Sequence, residues 1–219
     1  ADTITIDHKS DEFLVKEGLW KGKYLHELYQ SASTPWDWHE RLFDEAKKLG
    51  ITIFSSPFDH TAVDFLESLA TPAYKIASFE LIDLPLIRKV AKTNKPIIMS
   101  TGNASLSEIE EAVQTSLDCG NNAIVLLHCT SGYPTPALEA NISTIPVLAS
   151  CFNLNVGLSD HTMDVGVSVG AVILGACVIE KHFTLKRDDG GPDSAFSLEQ
   201  SELKSLVENC RIAYQSIGK

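Results

Sequence analysis

Apolar residues in this chain fall in short unbroken runs: ITIFS at 51–55, AYKIA at 73–77, PIIMS at 96–100, AIVLLH at 123–128, LNVGLS at 154–159 and CVIEKH at 177–182. Each run is followed by a stretch of helical period, clearest over 62–69, 84–91, 107–117 and 197–217. Near-continuous apolar strands alternating with helices predict a parallel sheet covered on both faces. Helix starts are signalled locally, because Ser105 with Glu108 and Ser197 with Gln200 both fit a capping box. The runs begin 22 to 31 residues apart, the length of a βα unit with a right-handed crossover. No low-complexity linker interrupts them, which predicts one domain over residues 1–219.

Six βα units fit either an open doubly wound sheet or a (β/α)8 barrel with about six of its eight units present. An open sheet gathers its ligand residues at one switch point, whereas a barrel takes them from the C-terminal ends of many strands. Here nearly every run ends in polar chemistry: Ser55 and Ser56; Lys75, Ser78 and Glu80; Ser100, Thr101 and Gly102; His128 to Ser131; Ser159, Asp160 and His161; Glu180 to His182. That distribution predicts an α/β fold of the TIM-barrel class, here incomplete.

In the strand period of two, His161 shares a face with Ser159, and His182 with Glu180. Two imidazoles on consecutive strand ends are either two ligands of one divalent metal, for which Zn, Mn, Fe or Co would serve, or two hydrogen-bonded histidines. Lys75, in the middle of an apolar strand, either runs its stem outward or meets an anion or a Schiff-base carbonyl. The hydroxyls of Ser55, Ser56, Ser78, Ser100 and Thr101 are either ordinary turn and cap groups or, together with Gly102, a phosphate-binding set at helix N-termini. Glu80 is a solvated loop carboxylate or an acid/base group.

The formal charge of −11 makes a nucleic acid or an anionic membrane a poor partner. Five cysteines, an odd number with no CxxC pair, suit reduced thiols and hence a cytoplasmic setting. No apolar stretch reaches the ~18 residues of a membrane span. The remaining composition, 44% hydrophobic and 21% charged, is ordinary for a globular chain.

Seven stretches together carry a resemblance: FSSPFD (54–59), PAYKIASFE (72–80), KPIIMSTGNAS (95–105), LLHCTSGYPTP (126–136), VGLSDHT (156–162), IEKHFTL (179–185) and GGPDSAFSLE (190–199). In this order they resemble the sialic acid synthase family, barrel enzymes that condense phosphoenolpyruvate with an N-acylated amino sugar. The segments TPWDWH (34–39), ASFE, GPDSAFSLE and DTITIDHKSDEF are most similar to the pseudaminic acid synthase branch, with the legionaminic and N-acetylneuraminic acid synthases as near alternatives.

The resemblance implies roles residue by residue. His161 and His182 match the family's metal ligands and take part in catalysis through a divalent ion, Mn2+ first and Mg2+ or Co2+ as alternatives. Ser56, Lys75, Ser78, Ser100, Ser131 and Ser159 match phosphoenolpyruvate contacts, although Ser131 stands where classical sialic acid synthases carry asparagine. Glu80 matches a catalytic glutamate that handles water or a proton. Tyr133, Glu180 and Asp193 match positions facing the sugar. The family pattern also includes two earlier βα units and a C-terminal antifreeze-like domain exchanged within a homodimer. The expectation is therefore that residues 1–219 are a partial synthase barrel, inactive or unstable alone. The contrasting expectation is a noncatalytic sugar- or phosphate-binding remnant.

Overall fold

The computed structural model describes residues 1–218, which divide into two compact units, 1–74 and 75 onward. The first unit carries three helices, α1 (Leu25–Ala32), α2 (Trp36–Leu49) and α3 (His60–Ser68). Helix α3 starts where the Asp59 carboxylate accepts the Ala62 N–H at 2.7 Å, the side-chain cap that satisfies an orphan helix donor. Trp36 stacks on Phe65 with ring centroids 4.6 Å apart. The run at 51–55 departs from its prediction: instead of a strand it makes one parallel bridge, Ser55 to Tyr74. Its apolar side chains are not enclosed, with Ile51 61% and Phe54 38% exposed, so the burial that would hold a full strand is missing.

The sheet follows in strict sequence: β1 (Tyr74–Ile76), β2 (Ile97–Ser100), β3 (Ile124–Cys129), β4 (Asn155–Asp160) and β5 (Ile179–Lys181), in spatial order β1-β2-β3-β4-β5. The pairings from β2 to β5 are parallel. A doubly wound sheet reverses its strand order at a switch point; this order never reverses and is that of a (β/α)8 barrel. The crossovers are α4 (Leu84–Ala91), α5 (Leu106–Asp118), α6 (Thr144–Phe152) and α7 (Gly166–Ile173), and α8 (Gln200–Ser216) follows β5.

Local chemistry sets the helix starts. The Asp83 carboxylate caps α4, and Ser105 with Glu108 forms the expected capping box of α5. The box expected at Ser197 lies two residues later, between Glu199 and Glu202. Ser197 instead donates its hydroxyl to the Asp193 carbonyl at 2.8 Å, which removes it from capping. Between sheet and helices sits a core in which Ile76, Leu86, Ile87, Met99, Leu126 and Leu148 are essentially inaccessible, each such side chain worth roughly 1.5–3 kcal/mol. Among the described residues no helix is long and apolar enough to cross a membrane, and the five cysteines form no disulfide.

Candidate active site at the strand ends

Within the second unit, the C-terminal ends of β1 to β5 carry ten of the sequence-predicted site residues: Lys75, Ser78, Glu80, Ser100, Ser131, Tyr133, Ser159, His161, Glu180 and His182. Asp193 joins them from the loop before the short 3-10 turn Ser194–Phe196. Ser56 belongs to the first unit, where it lines a surface cavity of about 530 Å³ beside Phe54 and Asp59.

The Lys75 ammonium, 8% exposed, does not run outward. It donates to the Ile76 carbonyl at 3.2 Å and stands 3.6 Å from Glu180 Oε2. The other oxygen of that carboxylate accepts from Ser159 Oγ at 2.7 Å, so Glu180 joins the lysine of β1 to the serine of β4. Beside this bridge, the Gly102 N–H donates to Ser78 Oγ at 3.2 Å. A methyl group at residue 102 would fall against the Ser131 and Ser78 hydroxyls and the Cys129 sulfur, so only glycine leaves this cradle open. Ser100 Oγ and Glu80 Oε2 are buried with no hydrogen-bond partner. A buried polar atom left without a bond costs about 1–3 kcal/mol, which marks both as groups that await a ligand. Burial pushes the Glu80 carboxyl above the usual range; a backbone hydrogen bond and the Lys75 charge only partly pull it back.

The two histidines meet on the neighbouring strand ends, with ring centroids 5.3 Å apart. His161 Nδ1 lies 3.0 Å from the Thr130 carbonyl, which can only accept, so Nδ1 carries the proton of the neutral ring and Nε2 keeps its lone pair. His182 Nδ1 faces the Asp193 carboxylate at 3.5 Å, which favours the same tautomer. An acceptor behind Nδ1 that aims Nε2 outward is the usual support of a metal-bound imidazole, and this donor chemistry fits a divalent ion. Among the described residues no third histidine, cysteine or carboxylate completes a cluster of three, so these two imidazoles would be joined by groups from substrate, water or elsewhere. Burial lowers the His161 pKa, but its bonds to the Cys129 sulfur and the Thr130 carbonyl, with the Glu180 charge, leave it raised. At His182 burial dominates; Asp193 pulls against it, His161 adds to it, and the ring titrates below the usual value. Tyr133 packs on His161 at 4.4 Å between ring centroids, and Phe196 on His182 at 4.9 Å, so the pair has aromatic walls.

Three residues at these strand ends receive no role from the sequence beyond their place there. Cys129 sits 3.9 Å from both His161 Nδ1 and Ser131 Oγ. Its thiol is pushed up by burial, yet hydrogen bonds with His161 and Ser78 bring it below the usual range. The signal was its period-two spacing from Ser131. Asp160 and Lys181 form a buried ion pair at 2.9 Å; a lysine flanked by two inward polar residues of a strand must face the opposite, helix-covered side, where it needs a carboxylate in register. His128, by contrast, turns away to the Ala140 carbonyl at 2.7 Å and takes a structural part.

The chain matches the NeuB family along residues 1–219. It is 44% identical to the pseudaminic acid synthase of Helicobacter pylori over 216 residues, which cover 99% of this chain and 64% of that protein. It is 47% identical over 184 residues to the N,N'-diacetyllegionaminic acid synthase of Campylobacter jejuni, covering 82% of this chain and 54% of the relative. Among solved structures, the N-acetylneuraminic acid synthetase of Leptospira borgpetersenii, crystallised with citrate, superposes with a TM-score of 0.85 at 33% identity, covering 88% of this chain and 67% of that one. The chain thus spans somewhat less than two thirds of the pseudaminic acid synthase it matches. With a match along its whole length and a site built on successive strand ends, the chain belongs to the NeuB family.

Proposed function

We propose that this chain is the barrel portion of a cytoplasmic synthase that joins phosphoenolpyruvate to an N-acylated amino sugar, giving a nonulosonic acid and inorganic phosphate. The observation that carries the reading is one ring of strand ends. There a buried lysine and a hydroxyl cradle around Gly102 adjoin two imidazoles with outward Nε2 lone pairs. Lys75, Ser78, Ser100, Ser131 and Ser159 hold the phosphate and carboxylate charges of the donor. His161 and His182 would hold a divalent ion, Mn2+ before Mg2+ or Co2+, and when bound it supplies Lewis acidity at the sugar aldehyde. Tyr133, Glu180 and Asp193 orient the open-chain sugar, so that its carbonyl carbon meets the methylene carbon of the donor. Glu80, its pKa raised by burial, takes the proton at Oε2 from the water that adds to the enol-ether carbon. The alkoxide left at the former aldehyde carbon takes up a proton, and the tetrahedral centre collapses to the 2-keto acid, losing its hydroxyl proton and expelling phosphate. Fixing both reactants in one orientation accounts for much of the acceleration.

The acceptor we assign is the 2,4-diacetamido-trideoxy sugar that leads to pseudaminic acid, since the pseudaminic acid synthase likeness runs along 99% of the chain. A legionaminic precursor is the second reading, favoured by the higher local identity of 47%. The assembly proposed for the whole protein is a homodimer. Phosphate release by the full protein, measured against both diacetamido sugars and N-acetylmannosamine, tests the reading. Metal-dependent release with a diacetamido sugar, abolished in His182→Ala, is expected; full activity of that variant after chelation would refute it.

A further inference from the structure

The rungs between β4 and β5 alternate in character. Ser159 lies opposite Glu180 and Asp160 opposite Lys181, and His161 and His182 follow one residue beyond, their rings 5.3 Å apart. By the period of two, Ser159, Glu180 and the histidines share one face, and Asp160 and Lys181 share the other. On that second face Asp160 Oδ2 accepts from Ser168 Oγ of α7 at 2.5 Å. Asp160 Oδ1 accepts the Thr162 N–H at 2.8 Å. Lys181 Nζ donates to Asp160 Oδ2 at 2.9 Å, to the Thr162 carbonyl at 2.6 Å and to the Asp164 carbonyl at 3.0 Å. The lysine and aspartate side chains are 3% and 1% exposed, and all three ammonium protons have acceptors.

A buried ion pair is weak evidence for stability, because a well-packed apolar pair often serves as well. This one does something an apolar pair could not. It reaches beyond the strand ends and ties the residues on both sides of His161, the Asp160 carboxylate and the Thr162 carbonyl, to the residue that precedes His182. We infer that Asp160 and Lys181 are positioning residues that fix the spacing of the His161 and His182 imidazoles and so set the affinity for the divalent ion. The inference rests on the metal reading above; its geometric half does not.

Two variants of this chain test it. Asp160→Asn/Lys181→Met removes both charges together and keeps an acceptor for the Thr162 N–H. Ser168→Ala leaves the pair intact but takes one donor from the aspartate. The readouts are the nuclear Overhauser contact between the two imidazole rings in metal-free protein and the affinity for Co2+. The double variant is expected to lose the inter-ring contact and to bind Co2+ about tenfold or more weakly, with a smaller loss of both in Ser168→Ala. A folded variant that keeps the inter-ring contact and binds Co2+ within about twofold of the parent overturns the inference. If the double variant does not fold, Ser168→Ala decides alone by the same criterion. Should the parent bind Co2+ no better than His161→Ala does, the metal reading fails, and the inter-ring contact still decides the positioning role.

Discussion

At the ends of β4 and β5, the Asp160 and Lys181 side chains are buried and every polar atom in them is bonded, whereas at the ends of β1 and β2 the Glu80 carboxyl and the Ser100 hydroxyl are also buried and each leaves an oxygen with no partner. Both regions belong to one sheet and one ring of strand ends. The difference separates two uses of buried polarity. A satisfied network holds backbone in place, and an unsatisfied atom is a site held ready at a cost in stability. Substitutions should therefore act in opposite ways in the two regions: in the first they harm folding before binding, in the second binding before folding.

The largest effect falls on the satisfied side. Lys181→Ala strands the Asp160 carboxylate in the interior, and losing one partner of a buried pair typically costs about 3–5 kcal/mol. Urea unfolding should show that loss, and a midpoint close to the parent's would break the distinction. Next comes Gly102→Ala, which places a methyl among the Ser78 and Ser131 hydroxyls and Cys129. Crowding of this kind costs about 1–3 kcal/mol. In addition, donor binding should fall well beyond what that stability loss explains, and isothermal titration with phosphoenolpyruvate measures it.

Much of this was legible in the chain itself. Runs such as AIVLLH and LNVGLS were strands because their apolar residues follow without alternation, and the polar residues at their ends mapped the ring. The run ITIFS has the same composition, yet it forms only the Ser55 bridge, since a strand needs neighbours and burial that composition does not report. Ser197 and Gln200 matched a capping box in spelling, but the Asp193 carbonyl competed for the serine hydroxyl. Lys181 went unnoticed beside the two site residues that flank it, because its partner is 21 residues distant and meets it only through strand register.

Glu80→Gln separates charge from shape in the unsatisfied region. The folded protein holds this carboxyl above its unfolded pKa, so the native state binds the proton more tightly than the unfolded chain does. Stability from this group is thus present below the unfolded value and is lost as pH rises through the folded value. Glutamine removes that dependence. The variant should match the parent in acid and exceed it above the folded pKa, which urea midpoints across pH 4 to 8 would reveal (roughly the window of a perturbed carboxyl). At the same time phosphate release should drop about 10²-fold or more, the usual contribution of a positioned acid or base. A parallel pair of stability curves would show that the surroundings do not raise the Glu80 pKa.

The smallest change in stability is expected at Ser100. The residue is 2% exposed and its hydroxyl bonds to nothing, so Ser100→Ala removes an unsatisfied oxygen and leaves only a methyl in its place. The folded state should be unchanged or gain up to about 1 kcal/mol. Affinity for phosphoenolpyruvate should nonetheless fall about tenfold, the loss of one hydrogen bond to a charged group at about 1.5 kcal/mol. Opposite signs in one variant are the sharpest form of the contrast between the two regions. If Ser100→Ala is instead destabilised in step with its loss of affinity, the hydroxyl serves the fold, and the ring of unsatisfied atoms loses its member nearest the cradle glycine in sequence.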